Sequence, residues 1–177
     1  GVCNEDGAVL TMEKGVIEDN TALLDGGGIY NLGTLMIHEG DISYNAATRT
    51  ENAIGDGGGI YNRGLLTMDG GTMFYNTATG QGGAVMQNGT MNVYGSIQIA
   101  DNTATLGNNI YRATLPILHV TGELAYDAVL WVYAPVETGA VTSGYGAYNE
   151  YDAGTFFIFD NENLGIRTES GEGTLYV

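Results

Sequence analysis

Apolar residues along the chain fall in groups of two or three, separated by glycine-rich or Asn/Asp-rich stretches, and the groups recur. The fullest version is Gly57-Gly58-Gly59-Ile60-Tyr61-Asn62-Arg63-Gly64-Leu65-Leu66-Thr67-Met68. The phrase stands upstream as Gly26-Gly27-Gly28-Ile29-Tyr30-Asn31-Leu32-Gly33-Thr34-Leu35-Met36-Ile37. Downstream it loosens to Gly82-Gly83-Ala84-Val85-Met86-Gln87-Asn88-Gly89-Thr90-Met91-Asn92-Val93 and then to Asn109-Ile110-Tyr111-Arg112. Copies starting at Gly1, Gly28, Gly59, Ala84 and Asn109 are spaced by 27, 31, 25 and 25 residues. Such a period marks a solenoid, in which each unit buries its apolar face only against its neighbours.

Three short apolar segments lie in each period. The first is the Ile60 type. The second is Leu10-Thr11-Met12, Leu35-Met36-Ile37, Leu66-Thr67-Met68 and Met91-Asn92-Val93, whose outer members are always apolar. Period-two alternation turns those outer members inward and the middle one to the surface. The third contains Ile17, Ile42, Met73 and Ile97, followed three to five residues later by Asn20, Asn45, Asn76 and Asn102 and then by small residues. No segment keeps a 3.6-residue period for about ten residues without meeting glycine, so strands are expected rather than helices. The repeated register predicts parallel stacking at about 4.8 Å per coil. The predicted fold is all-β: a right-handed, three-sided parallel β-helix of about 25-residue coils.

Glycine triplets are expected at sharp corners where coils approach closely. The asparagines are expected to tolerate left-handed corner geometry and to bond amide to amide between coils as a ladder. The repeat covers residues 1–112. Residues 113–177 lose it and carry longer, more aromatic candidate strands, read as degenerate terminal coils and a cap of the same domain.

The phrases G-G-G-I-Y-N, G-x-L-x-M and I-x-x-N-T-A resemble the right-handed parallel β-helix repeats of bacterial adhesin-like surface proteins. These are of the type found in gut Firmicutes and methanogenic archaea, similar to the repeats of chlamydial polymorphic outer-membrane proteins and built on a pectin-lyase-like scaffold. The resemblance implies export and an extracellular, cell-surface location, and brings no catalytic residues with it.

Charge and composition narrow the function classes. A formal net charge of -16, from 21 acidic against 5 basic residues, opposes binding to nucleic acid and to anionic membranes. With 44% hydrophobic residues the chain is not of disordered composition, and no apolar run near 18 residues predicts membrane insertion. Cys3 is the single cysteine, so no internal disulfide is expected. The lack of an initiator Met and of a signal peptide suggests a piece of a longer chain.

Candidate chemistry is sparse. Pectinolytic enzymes on this scaffold need clustered carboxylates on one sheet. The expected outward positions are Cys3, Tyr30, Tyr61, Met86 and Tyr111 on one sheet and Thr11, Met36, Thr67 and Asn92 on another, with acids such as Asp41, Asp56, Asp69 and Asp101 assigned to turns. His38 and His119 have no partner at metal-ligand spacing, so no catalytic or metal residue is assigned. Turn carboxylates and carbonyls suit Ca²⁺ in kind, but no D-x-D-x-D loop or G-G-x-G-x-D nonapeptide is present, and no cofactor is expected. The vertical column Tyr30, Tyr61, Met86 and Tyr111 is the candidate ligand-binding face, since tyrosine joins a flat apolar ring to a polar tip. Six extra residues in the second coil predict an outward loop over 48–56, adding Arg49 and Glu51 to the candidate site. The expected function is a non-catalytic adhesin-like or stalk segment that binds a glycan or a host or microbial surface protein. The alternative is a polysaccharide-degrading lyase, hydrolase or phage depolymerase.

Overall fold

The structure, a computed structural model, describes residues 1–49, 51, 53–114, 117–135, 138–160 and 163–176. It is a parallel β-solenoid of about six turns. Three long ladders run along it. The first stacks Val2–Asn4, Ile29–Asn31, Ile60–Asn62, Val85–Gln87 and Ile110–Tyr111. The second stacks Val9–Met12, Thr34–Ile37, the first half of Leu65–Phe74, the first half of Thr90–Ile99, then Leu118–Leu124 and Thr142–Ser143. The third stacks Val16–Glu18, Asp41–Ser43 and the second halves of those two ten-residue strands, followed by Val129–Tyr133 and Phe157–Phe159. A short fourth ladder joins Thr21–Ala22, Ala46–Ala47 and Thr77–Ala78.

The interior is built from the apolar positions of each phrase. Ile29, Ile60, Val85, Ile110 and Val132 form one buried column, and Ile37, Met68, Val93 and Val120 another. Complete burial of each such side chain stabilises the fold by roughly 1.5–3 kcal/mol. Parallel stacking continues past residue 112, where the repeat is no longer readable. Among the described residues only Gly139–Ala140, Gly165–Glu169 and Glu172–Tyr176 pair antiparallel, and they close one end with Tyr145, Phe156, Phe157 and Ile166 packed into the core. At the other end Leu10, Met12 and Ile17 line an open hollow of about 420 Å³.

In the third segment the residue facing Met73 is Ile99, while Ile97 faces Gly71. The register slips between Met68 and Gly70, so the sequence alignment of Ile97 with Met73 is two residues off. With Ile99 in place, the apolar residue precedes the corner asparagine by three residues in every coil.

Two amide ladders tie the coils together. In the first, Asn4 Nδ2 donates to Asn31 Oδ1 at 2.7 Å, Asn31 to Asn62 at 2.7 Å and Asn62 to Gln87 Oε1 at 2.8 Å. Among the described residues Gln87 Nε2 has no hydrogen-bond partner. In the second, Asn20, Asn45, Asn76 and Asn102 each donate to the next coil, and Asn102 donates to Asn109 Oδ1 at 2.9 Å. Asn109 ends the series by donating its amide and its backbone N–H to the two carboxylate oxygens of Asp160, both at 3.0 Å. The left-handed residue at this corner is the one before each asparagine: Asp19, Tyr44, Tyr75 and Asp101 have φ of 55°, 55°, 58° and 55°. The asparagine latches that conformation by donating to the carbonyl two residues back, as Asn45 does to Ser43 and Asn102 to Ala100. No helix among the described residues is long and apolar enough to cross a membrane.

Candidate functional site

The column expected to project as one face divides into two parts. Tyr30 and Tyr61 stack with ring centroids 5.2 Å apart and planes 4° from parallel, and both are half-buried. The Tyr61 hydroxyl accepts from Asn88 Nδ2 at 3.1 Å, and burial raises its pKa. Met86 and Tyr111 are instead buried, at 6% and 4% exposure, and do not project. Tyr111 stacks on Tyr133 at 5.7 Å, Tyr133 on Phe159 at 5.6 Å, and Gly107 packs against both tyrosines. That half of the column is therefore packing, and only Tyr30 and Tyr61 of the four offer ring surface to a ligand.

The inserted segment is narrower than expected. Thr48 N–H donates to Ala22 O at 2.9 Å, and Gly55 N–H donates to Thr79 Oγ1 at 3.1 Å, so both ends of the 48–56 range are held in the coil. Arg49 and Glu51 are exposed as expected, while Thr50 and Asn52 lie outside the described residues. Ile54 and Asp56 line a cavity of about 260 Å³ with Thr79, Gly80 and Gln81. Burial raises the Asp56 pKa against the opposing hydrogen bond from the Gln81 N–H.

A second aromatic pair lies on the αL corner. Tyr44 and Tyr75 are 56% and 52% exposed and stack at 5.1 Å with a 27° interplanar angle. Left-handed geometry disfavours bulky residues, and Asp occupies the same position in the flanking coils. A sequence signal exists, since Tyr44 and Tyr75 directly precede the ladder asparagines, but it is visible only once the αL site is placed one residue before the Asn.

The corner between the second and third ladders holds Asp69, assigned to a turn by sequence. The structure places it inside Leu65–Phe74, at a strand that bends through Gly70 and Gly71 rather than breaking. His38 Nδ1–H donates to Asp69 Oδ2 at 2.8 Å, and the Tyr94 hydroxyl donates to the same oxygen at 3.0 Å. Three consecutive coils thus converge on one carboxylate. The hydrogen bond to Asp69 and its charge raise the His38 pKa, with desolvation opposing and Glu13 adding a smaller push upward. A histidine pKa raised by folding contributes stability that is full below the ordinary value of about 6.5 and is lost as pH rises through the higher folded value. An NMR titration of the two histidines should show His38 titrating above that value in the wild type and falling toward it in Asp69→Asn. Equal His38 pKa values in the two proteins would contradict the contact.

Compared with known proteins, the chain matches no family model, no curated protein and no solved structure. The geometry alone therefore bears on function. His119 lies on the second ladder beside Ser143, far from His38, and among the described residues no group of three or more His, Cys, Asp or Glu is placed to hold a metal. Asp41 accepts from Ser43 and Thr72 hydroxyls at 2.9 and 3.1 Å, so its oxygens, like those of Asp69, are engaged by neighbouring side chains.

Proposed function

We propose that this chain is a non-catalytic, adhesin-like segment of an extracellular surface protein that binds a glycan or a surface protein through its exposed aromatic corner. The observation that carries this reading is the Tyr44/Tyr75 pair. Two large rings are kept more than half exposed, stacked, and in a backbone conformation that Asn or Asp would occupy at less cost. A residue that opposes the local backbone preference without being buried points to a use at the surface. Tyr30 and Tyr61 provide a second, flatter platform on the adjoining ladder.

The Tyr44→Asn/Tyr75→Asn double variant tests this. Relief of left-handed strain, about 1–2 kcal/mol at each of the two residues, outweighs the lost stacking of about 0.5–1.5 kcal/mol, so the melting temperature should hold or rise. Binding of the wild type on glycan and surface-protein arrays should be lost in the variant. Unchanged array binding by a folded double variant would refute the corner as the binding face.

The competing reading, a polysaccharide-cleaving enzyme, draws on Asp69 with His38 and Tyr94. Glycoside hydrolysis commonly uses two carboxyl groups across the scissile bond. Both oxygens of Asp69 are already bonded to His38 and Tyr94, which favours binding over cleavage.

A further inference from the structure

The αL corner stops one coil short of the cap. In the first four coils the chain leaves the third ladder, passes the left-handed residue and the ladder asparagine, and returns through a glycine-rich turn to the first ladder. In the fifth, the single strand Val129–Tyr133 serves both ladders: Val129 and Leu130 pair with Gln98 and Ile99, and Val132 and Tyr133 pair with Ile110 and Tyr111. The detour is omitted, and the solenoid's cross-section steps inward. Asn109 takes over the ladder position that a corner asparagine would have filled, and Asp160 from the following coil caps it. The step leaves a hollow of about 250 Å³ lined by Asp101, Asn108, Asn109, Trp131, Phe159 and Asp160.

We propose that this hollow is a subsite for one residue of a neutral saccharide, with Trp131 as the stacking wall and Asp101 and Asp160 as acceptors for sugar hydroxyls. The proposal rests on the reading of the aromatic corner as the binding face. Its volume lies just below the roughly 300 Å³ at which pockets for drug-sized ligands begin, so it suits a single ring of a longer chain. Asp160 is oriented before any ligand arrives, because Asn109 holds one oxygen through its amide and the other through its backbone N–H. Such preorganisation spares a ligand the cost of ordering its partner. The carboxylate has about four acceptor sites, and with N–H donors from Asn109 and Asn108 it retains capacity for a hydroxyl.

Position supports the same ligand. Tyr75 N–H donates to Asp101 O at 3.2 Å, which puts the stacked tyrosines in the coils directly before the hollow. A saccharide lying along the solenoid axis would meet Tyr44, then Tyr75, then the hollow and Trp131. The net charge of -16 and the two lining carboxylates select against uronic acids and sulfated sugars. A cationic side chain is a poorer match, because burial disfavours the charged form of Asp160 and raises its pKa against the opposing hydrogen bonds from Asn109 and Asn108.

Trp131 is the only tryptophan, so intrinsic fluorescence reports on the hollow directly. The intact protein is titrated with cellohexaose, maltohexaose and hexa-N-acetylchitohexaose as neutral probes, with hexagalacturonate as the acidic probe and hexa-arginine as the cationic one. The expected result is a saturable emission change with a neutral hexasaccharide, weakened by about tenfold in Asp101→Asn, the loss of one charge-assisted hydrogen bond. Asn is at home in the left-handed geometry of position 101, and an unchanged circular dichroism spectrum checks that the variant is folded. Silence toward all three neutral probes, an equal response to hexagalacturonate, a response to hexa-arginine alone, or indifference to Asp101→Asn each overturns the proposal. Array binding that depends on Tyr44 and Tyr75 while Trp131 stays silent would sink the subsite and leave the corner standing. A Trp131 response with array binding indifferent to the tyrosines would sink the corner instead.

Discussion

Asn76→Leu is expected to destabilise the protein by about 3–5 kcal/mol, at the severe end for a single substitution. Leucine has as many side-chain heavy atoms as asparagine but a bulkier tetrahedral branch, so overpacking adds to the lost hydrogen bonds. Asn76 is fully buried and is the middle rung of the corner ladder. Its Oδ1 accepts from Asn45 N at 3.0 Å and Asn45 Nδ2 at 3.0 Å, and its Nδ2 donates to Ile42 O at 2.7 Å and Asn102 Oδ1 at 2.9 Å. Leucine leaves the Asn45 backbone N–H without this acceptor and the Ile42 carbonyl without this donor. Each buried polar group stranded this way costs about 1–3 kcal/mol. The variant also loses the bond to Phe74 O that latches Tyr75 in its left-handed conformation. Urea denaturation of Asn76→Leu and of Asn20→Leu, the half-exposed end rung, provides the comparison. The inner substitution should shift the midpoint several times further, and equal shifts would show that the rungs do not act as a buried, connected series.

Gly58→Ala should be the next most damaging change, at about 3 kcal/mol or more. A Cβ at Gly58 would meet the carbonyl oxygens of Gly83 and Thr77 and lie 2.6 Å from the Thr77 carbonyl carbon, all backbone atoms that cannot rotate away. Relief would require parting adjacent coils, at the expense of the Gly58 N–H to Gly82 O bond of 3.1 Å. Gly7→Ala is the contrast: its φ of 74° is left-handed, but a Cβ there meets nothing within 4 Å. It should cost only the conformational strain of about 1–2 kcal/mol. Thermal unfolding of the pair separates close coil approach from backbone preference, and similar losses in both would remove the packing argument.

These two residues also mark what could be read from the sequence. The recurrence of Gly-Gly-Gly-Ile-Tyr-Asn predicts stacked coils, inward Ile60, Leu66 and Met68, and an amide ladder through Asn62, all of which are present in the fold. Spacing alone failed where glycine let a strand bend without ending. Gly70 and Gly71 carry Leu65–Phe74 around a corner, which moved Asp69 from an assumed turn into contact with His38 and Tyr94 and displaced Ile97 from the position that Ile99 holds. Toward the cap the outward register no longer means exposure. Met86 and Tyr111 occupy the outward register, yet later coils and Gly107 close over them, and a repeat pattern contains no information about what non-repeating neighbours cover. Trp131 and Asp160 lie beyond the readable repeat, so the hollow they line with Asp101 emerges only from the omitted fifth corner.

The claim that this surface holds saccharide without cleaving it is tested most directly by incubating the protein with neutral polysaccharides and measuring bound protein and newly formed reducing ends in the same samples. Retention of the wild type, loss of retention in Tyr44→Asn/Tyr75→Asn, and no rise in reducing ends is the predicted result; protein-dependent release of reducing ends would contradict it.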